Sequence, residues 1–188
     1  RARRQRQMCI RDSNNAMNDI KNQVQIVLVE TSHPGNIGSV ARAMKTMGLQ
    51  NLVLVKPRNF PSKEAFVLSG NAQDLIEQAV VVNTLDEAIK NCTNIYATSA
   101  RTRSISWPII TAEMAGIEIN KFVREGTKVS IIFGREDRGL TNEELQKANK
   151  HILIPSSEDY PVLNIAMSVQ VIALSLIHIS EPTRRDPI

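Results

Sequence analysis

Three short polar segments hold most of the residues with chemical potential in this 188-residue chain. The first runs from Glu30 through His33, Pro34, Gly35, Asn36 and Gly38 to Arg42. Its glycines and the helix start that follows suit an anion, because the first N–H groups of a helix lack internal partners. The spacing is neither the dinucleotide fingerprint nor a P-loop. An ordinary strand–loop–helix turn capped by Asn36 accounts for the same pattern. Arg42 falls near the helix start, on the face turned toward the loop. The second segment sets Arg101 and Arg103 beside Ser99 and Thr102. A guanidinium grips phosphate through two parallel hydrogen bonds, with surface ion pairing as the plain alternative. The third, Phe133 to Leu140, crowds Arg135, Glu136, Asp137 and Arg138 between Gly134 and Gly139. The glycines suggest tight turns or close ligand approach, and Arg135 with Glu136 suggests an internal pair. A further stretch, Tyr160 to Val169, contributes Asn164, a good helix cap, and Ser168, a small residue suited to a packed helix contact. His33 and His151 are too isolated for a metal site. No Ser–His–Asp order and no paired carboxylates point to hydrolysis.

These segments need elements to hold them. Val24 to Val29 is a continuous β-branched and aliphatic run, the mark of a strand buried on both faces. A helix is expected over Ile37–Met47, closed by Gly48, and a strand over Leu52–Val55. Short helical pieces start at Ser62 and Asn71, and a strand covers Ala79–Val82. Thr84 to Glu87 reads as a capping box opening a helix through Lys90. A strand over Ile95–Thr98 follows. Thr111 caps a helix, with a second segment reaching Arg124. Then come a strand over Val129–Phe133, a second capping box at Thr141–Glu144, a short strand over Ile152–Ile154 and a helix over Leu163–Ala173. Alternating strands and helices predict an α/β fold, a mostly parallel sheet with helices on both faces. Ligands of such sheets bind at the carboxyl ends of the strands. That rule gathers the three loops 30–38, 98–103 and 133–140.

Composition is ordinary for a globular domain, with 42% hydrophobic and 22% charged residues. Aromatics at 4% argue against an RNA module built on aromatic stacking. Apolar runs are too short for a membrane span. The formal charge of +4 hints at nucleic acid until it is located. Residues 1–16 hold five arginines and one aspartate, residues 175–188 balance to zero, and residues 17–174 are neutral. Net charge therefore says nothing about what the middle binds. Residues 1–16 show neither strand alternation nor a helical stripe, and residues 175–188 break an amphipathic helix in mid-pattern. Both ends are read as non-native tails flanking a domain over 17–174 with a truncated C-terminal helix. Cys92 is then a lone thiol, which forms no disulfide framework or zinc cluster. With no export signal, the cytoplasm is the expected compartment. Composition and spacing stop at an α/β enzyme with an anion-friendly face.

Read together, the segments resemble a known family. Asn36-x-Gly38-x-x-Ala41-Arg42, Ile131 to Leu140, and Leu163-Asn164-x-Ala166-x-Ser168-Val169 resemble the three motifs of SPOUT-superfamily RNA 2′-O-ribose methyltransferases, over about Ile26 to Ala173. The resemblance implies the SPOUT fold with a C-terminal trefoil knot, an exception to the rule against threaded chains. It implies S-adenosylmethionine as cofactor, facing Thr98, Ser99, Ala100, Gly134, Ile154, Pro161, Val162 and Leu163. It implies tRNA as partner, a homodimer through the first and last helices, and no membrane or metal. A narrower likeness, carried by the stretch from Val27 to Val55, by Ala97 to Arg101 and by Gly139 to Lys147, points to members acting on nucleotide 32 of the anticodon loop. Arg42 takes the catalytic position. A guanidinium is a poor base, so its expected task is to orient the ribose hydroxyl and stabilise developing negative charge. Asn36, Arg101, Arg103, Arg135 and Arg138 are the expected RNA contacts. Pro161-Val162 departs from the small residues usual after the tyrosine. Two other readings stay open on that account: a non-catalytic RNA-binding protein on the same fold, and a small-nucleotide-binding α/β protein. Methylation of another tRNA or rRNA ribose is the nearest enzymatic variant.

Overall fold

The computed structural model describes residues 20–99, 107–157, 159 and 162–180. The seven strands are β1 (Val24–Val29), β2 (Asn51–Val55), β3 (Val80–Val82), β4 (Asn94–Thr98), β5 (Ile109–Thr111), β6 (Val129–Phe133) and β7 (Lys150–Leu153). They form one sheet in the order β3-β2-β1-β6-β4-β7-β5, and every pairing is parallel. The expected α/β architecture with helices on both faces is what the chain adopts. The helices are α1 (Pro34–Thr46), α2 (Lys63–Ser69), α3 (Gln73–Glu77), α4 (Leu85–Ile89), α5 (Ala112–Arg124), α6 (Asn142–Gln146) and α7 (Ile165–Ser180), with a 3-10 turn over Gly70–Ala72.

The aliphatic run of β1 serves two cores because successive side chains point to opposite faces. Ile26 and Leu28 join Leu52, Leu54, Ile131 and Phe133 under α1, α5 and α7. Val27 and Val29 join Val53, Val55, Ala97 and Ile132 beneath α4 and α6. Burying each such side chain contributes about 1.5–3 kcal/mol. Both faces of the central strands are dry, so their pattern is continuous rather than alternating.

Several boundaries differ from the sequence reading, each for a local reason. Helix α1 starts at Pro34, not Ile37: proline presets the helical φ at the first turn, and the His33 ring nitrogen accepts from the Gly35 N–H at 3.3 Å. Asn36 is thereby relieved of capping. At Thr84 only half of the expected capping box closes. Thr84 accepts from the Glu87 N–H, but the Glu87 carboxylate reaches the Asn83 N–H instead of Thr84. At Thr141 both halves are present. Strand β5, three residues on the sheet edge, escapes a periodicity argument altogether. Helix α7 begins at Ile165 behind Asn164, whose side chain accepts from the Ala166 N–H at 2.9 Å. It crosses the tail boundary expected after residue 174, and Leu176 lies fully inside the core. Residues 1–16 lie outside the described residues.

Gly38 fixes the crossing of α1 and α2. A Cβ there would stand 2.3 Å from the Ala65 carbonyl oxygen, so the two backbones touch. Gly38→Ala is expected to cost about 1–3 kcal/mol through overpacking, read as a lowered urea-unfolding midpoint with unchanged slope.

Candidate functional site

The chain leaves β1 and β6 toward opposite faces. Helix α1 packs into one core, whereas Leu145 of α6 packs into the other. Adjacent parallel strands whose connections diverge open a crevice at their carboxyl ends. The loops after β1 and β6 meet beside this crevice, together with Thr98 and Ser99 at the end of β4.

One side chain locks the crevice together. Arg135, 7% exposed, extends its guanidinium between two carboxylates. Its Nε and Nη2 reach the two oxygens of Glu30 at 2.9 and 2.7 Å. Its Nη1 and Nη2 donate to the two oxygens of Glu144 at 2.9 and 3.0 Å, and Nη1 also meets the Gly139 carbonyl at 3.4 Å. All five N–H donors are taken. The expected pairing of Arg135 with Glu136 is corrected: Arg135 is a buried clamp between Glu30 and Glu144. Glu30 lies beyond β1 at φ 47°, a left-handed conformation unfavourable for a residue with a Cβ. The backbone N–H of Glu30 is held by the Val55 carbonyl at 2.8 Å.

Glu136 turns the other way and ties the loop before α1. It accepts from the Ser32 hydroxyl at 2.9 Å and the Ser32 N–H at 3.1 Å. It also accepts from the His33 N–H at 3.4 Å and the Asn36 side chain at 2.9 Å. Asn36 in turn accepts from the Asn164 amide at 3.2 Å. A chain of polar contacts thus links the loops after β6, β1 and β7. Gly134 makes the turn possible: a Cβ there would stand 2.3 Å from the Gly139 carbonyl carbon. Gly139 closes it at φ 70°.

These loops enclose a cavity of about 650 Å³, within the usual range for a small-molecule site. Of the expected cofactor residues, Thr98, Ser99, Gly134, Ile154, Val162 and Leu163 line it. Ala100 and Pro161, with the expected RNA contacts Arg101 and Arg103, lie outside the described residues. Asn36 and Arg138 stand on the wall, whereas Arg42 is exposed on α1 and does not line it. Phe133, Leu140 and Ile152 supply apolar surface. Thr98 donates to the Ile132 carbonyl at 3.0 Å, and the Ser99 N–H donates to the Ile152 carbonyl at 3.1 Å. At the exit of the second loop, the Trp107 indole stacks on His151 with centroids 5.9 Å apart and donates to the Ala148 carbonyl at 2.8 Å. Neither histidine is placed for a metal, and the described residues hold no cluster of three or more potential metal-binding His, Cys, Asp or Glu side chains.

Residues 23–174 match the SpoU rRNA methylase family. The chain belongs to that family. Among its SpoU relatives, one from Escherichia coli, named tRNA (cytidine/uridine-2'-O-)-methyltransferase TrmJ, is 53% identical over 152 residues, covering 80% of this chain and 61% of the relative. A solved methylase-family structure from Haemophilus influenzae is 44% identical with a TM-score of 0.78, covering 82% of this chain and 65% of that one. TrmJ from Zymomonas mobilis is 34% identical with a TM-score of 0.76, covering 81% and 67%. The chain spans about three fifths of the length of the curated relatives it matches.

Sequence reasoning missed Glu30 and Glu144 as partners of Arg135. Glu144 was visible only as a cap, and Glu30 stands 105 residues from its partner. An acid directly after a strand buried on both faces was the available signal.

The clamp has a signature in acid. Glu30 is held below its ordinary value of 4.5 by the Arg135 hydrogen bond, which outweighs burial. Burial alone would raise Glu136 and Glu144, but hydrogen bonds from Asn36 and Ser32, and from Arg135 and Thr141, outweigh it and lower both. Lowered carboxylates contribute stability that is fully present above their unfolded values and lost as pH falls through the folded ones. Urea stability should hold from neutral pH down to about pH 5 and fall below that. Arg135→Met should cost about 3 kcal/mol at neutral pH, because it leaves two carboxylates without their partner. It should also flatten the acid limb; an unchanged limb in this variant would remove the clamp as its source.

Proposed function

We propose that this chain transfers a methyl group from S-adenosylmethionine to a ribose 2′-hydroxyl of tRNA, at nucleotide 32 of the anticodon loop. The observation that carries the reading is the cavity itself: residues from all three motif segments line one space at the carboxyl ends of the strands. The residues present fit the cofactor. Phe133, Leu140, Ile152, Ile154 and Leu163 offer apolar walls for a purine, and the loop after β6 supplies a polar lip. The name carried by the Escherichia coli relative supports tRNA ribose as the substrate.

The cofactor supplies an electrophilic methyl group on a sulfonium. The chain's share is alignment and electrostatics. Arg42 is exposed and without an ion pair among the described residues. It orients the ribose hydroxyl and stabilises the developing oxyanion. Asn36, held by Glu136 and Asn164, presents a fixed amide to the incoming nucleotide. Arg101, Arg103 and Arg138 contact the RNA backbone in this reading.

The reading extends to a trefoil knot in the C-terminal part, to a homodimer, and to the cytoplasm as the compartment. An apolar stripe supports the dimer: Met167, Val171 and Leu174 are exposed on α7, and Met114 and Ile117 on the neighbouring α5. Spacings of four and three residues keep each set on one helix face. No helix among the described residues is long and apolar enough to cross a membrane.

Arg42→Ala should abolish methyl incorporation into tRNA while calorimetric binding of S-adenosylhomocysteine persists. Full activity in that variant would overturn the assigned role. Mapping of 2′-O-methylation on tRNA incubated with the chain tests the position, and modification elsewhere would replace nucleotide 32. Met167→Glu should shift sedimentation from dimer to monomer, and a monomeric wild-type chain with full activity would overturn the dimer.

A further inference from the structure

Four charged residues line the cavity among the described residues: Arg135, Glu136, Asp137 and Arg138. Two are consumed by the fold. Arg135 has all five donors engaged, and Glu136 holds the loop before α1 through four donors. The other two are uncommitted. Asp137 is exposed and makes no hydrogen bond or ion pair among the described residues. Arg138 has a side chain 58% exposed, and its one charged neighbour is Glu30 at 3.8 Å. That distance is too long for a hydrogen bond, and Glu30 already gives both oxygens to Arg135. Arg138 therefore keeps a full set of donors.

The tip that carries this pair is rigid. The Arg135 N–H meets the Gly139 carbonyl at 3.3 Å, and the Gly139 N–H meets the Arg135 carbonyl at 2.9 Å. Two adjacent, opposite and unspent charges therefore stand on a closed turn at the lip of a largely apolar cavity. The ligand chemistry that matches is a zwitterion joined to an apolar body: an α-carboxylate for a guanidinium fork and an α-ammonium for a carboxylate.

We propose that Asp137 and Arg138 hold the amino-acid end of the cofactor, Arg138 taking the α-carboxylate and Asp137 the α-ammonium. This rests on the cofactor reading above. It also reassigns Arg138, whose alternative duty is a phosphate of the RNA backbone. The two duties are separable because only the first concerns a ligand that binds without RNA.

The test is calorimetric titration of the full chain with two probes. S-adenosylhomocysteine carries the amino-acid end; 5′-methylthioadenosine lacks it and keeps the adenosine and the sulfur. Wild type should bind the first more tightly than the second. Arg138→Gln should weaken S-adenosylhomocysteine about tenfold, the size expected for one charge-assisted contact, and leave 5′-methylthioadenosine unchanged. Asp137→Asn should show the same selective loss. Equal affinity of wild type for the two probes would overturn the proposal while leaving the cofactor reading intact. Unchanged S-adenosylhomocysteine affinity in Arg138→Gln with weakened tRNA retention on a filter would overturn it in favour of the backbone contact. Absence of binding of either probe by wild type would overturn the cofactor reading and this inference with it. Parallel loss of both probes in Arg138→Gln would assign a structural role instead, and that also overturns it.

Discussion

The Arg135 guanidinium, buried between Glu30 and Glu144, is the contact on which the rest of the site depends. Removing one guanidinium and two carboxylates from water costs several kcal/mol per ion unless every donor and acceptor is matched. Here the match is complete on the arginine side, with both carboxylates bidentate. The geometry is correspondingly intolerant. Glu30 belongs to the loop after β1, and Glu144 is the third residue of α6. Arg135 begins the loop after β6. One side chain thus sets the distance between two strand ends and the helix that leaves one of them. The left-handed backbone at Glu30 costs about 1–3 kcal/mol. It persists because the carboxylate must turn back to meet the guanidinium.

That lock explains why the neighbouring residues are free to face the cavity. In a four-residue run of charges, the first two members hold the fold and the last two face outward. Arg135 points into the protein and Glu136 reaches sideways to the loop before α1. The turn closed at Gly139 then carries Asp137 and Arg138 outward at the lip. Capping is divided in the same economical way. His33 caps α1, which leaves the Asn36 amide to bridge Glu136 and Asn164. Glu144 closes its capping box and also holds Arg135. Most polar groups near the crevice are paired or left exposed, since an unpaired buried group costs more than a made bond returns; the buried Thr31 hydroxyl is the exception.

The fold was legible in the sequence because its strongest signals are local. Val24–Val29 and Val129–Phe133 are apolar but for Gln25 and Ser130, the pattern of strands inside a two-sided sheet. Thr111 and Thr141 announce helices by side-chain chemistry alone. The cavity wall was legible by resemblance, not by spacing: Thr98, Ser99, Gly134, Ile154, Val162 and Leu163 are scattered over 66 positions, and nothing periodic connects them. The clamp was legible by neither route. Glu30 and Arg135 meet only because β1 and β6 are neighbours in the sheet, a fact that hydrophobic patterning does not encode. The error over Asn36 has the same origin. Its residue type is right for a cap, but the helix starts three residues earlier, at Pro34, and the amide goes to tertiary partners.

Charge followed a similar path from total to place. The formal excess of +4 belongs to residues 1–16, and residues 17–174 are neutral in sum. Neutrality does not weaken the case for an anionic substrate, because ion pairing decides which cations are available. Arg135 is withdrawn into the clamp, Lys45 into a pair with Asp74 at 2.6 Å, and Lys150 into one with Glu118 at 2.5 Å. Lys147 pairs with Asp86. Arg42 and Arg138 remain with unspent donors, Arg42 on the outer face of α1 and Arg138 on the lip of the cavity. A neutral domain thereby presents a local positive field where a cofactor carboxylate and a ribose hydroxyl would need it.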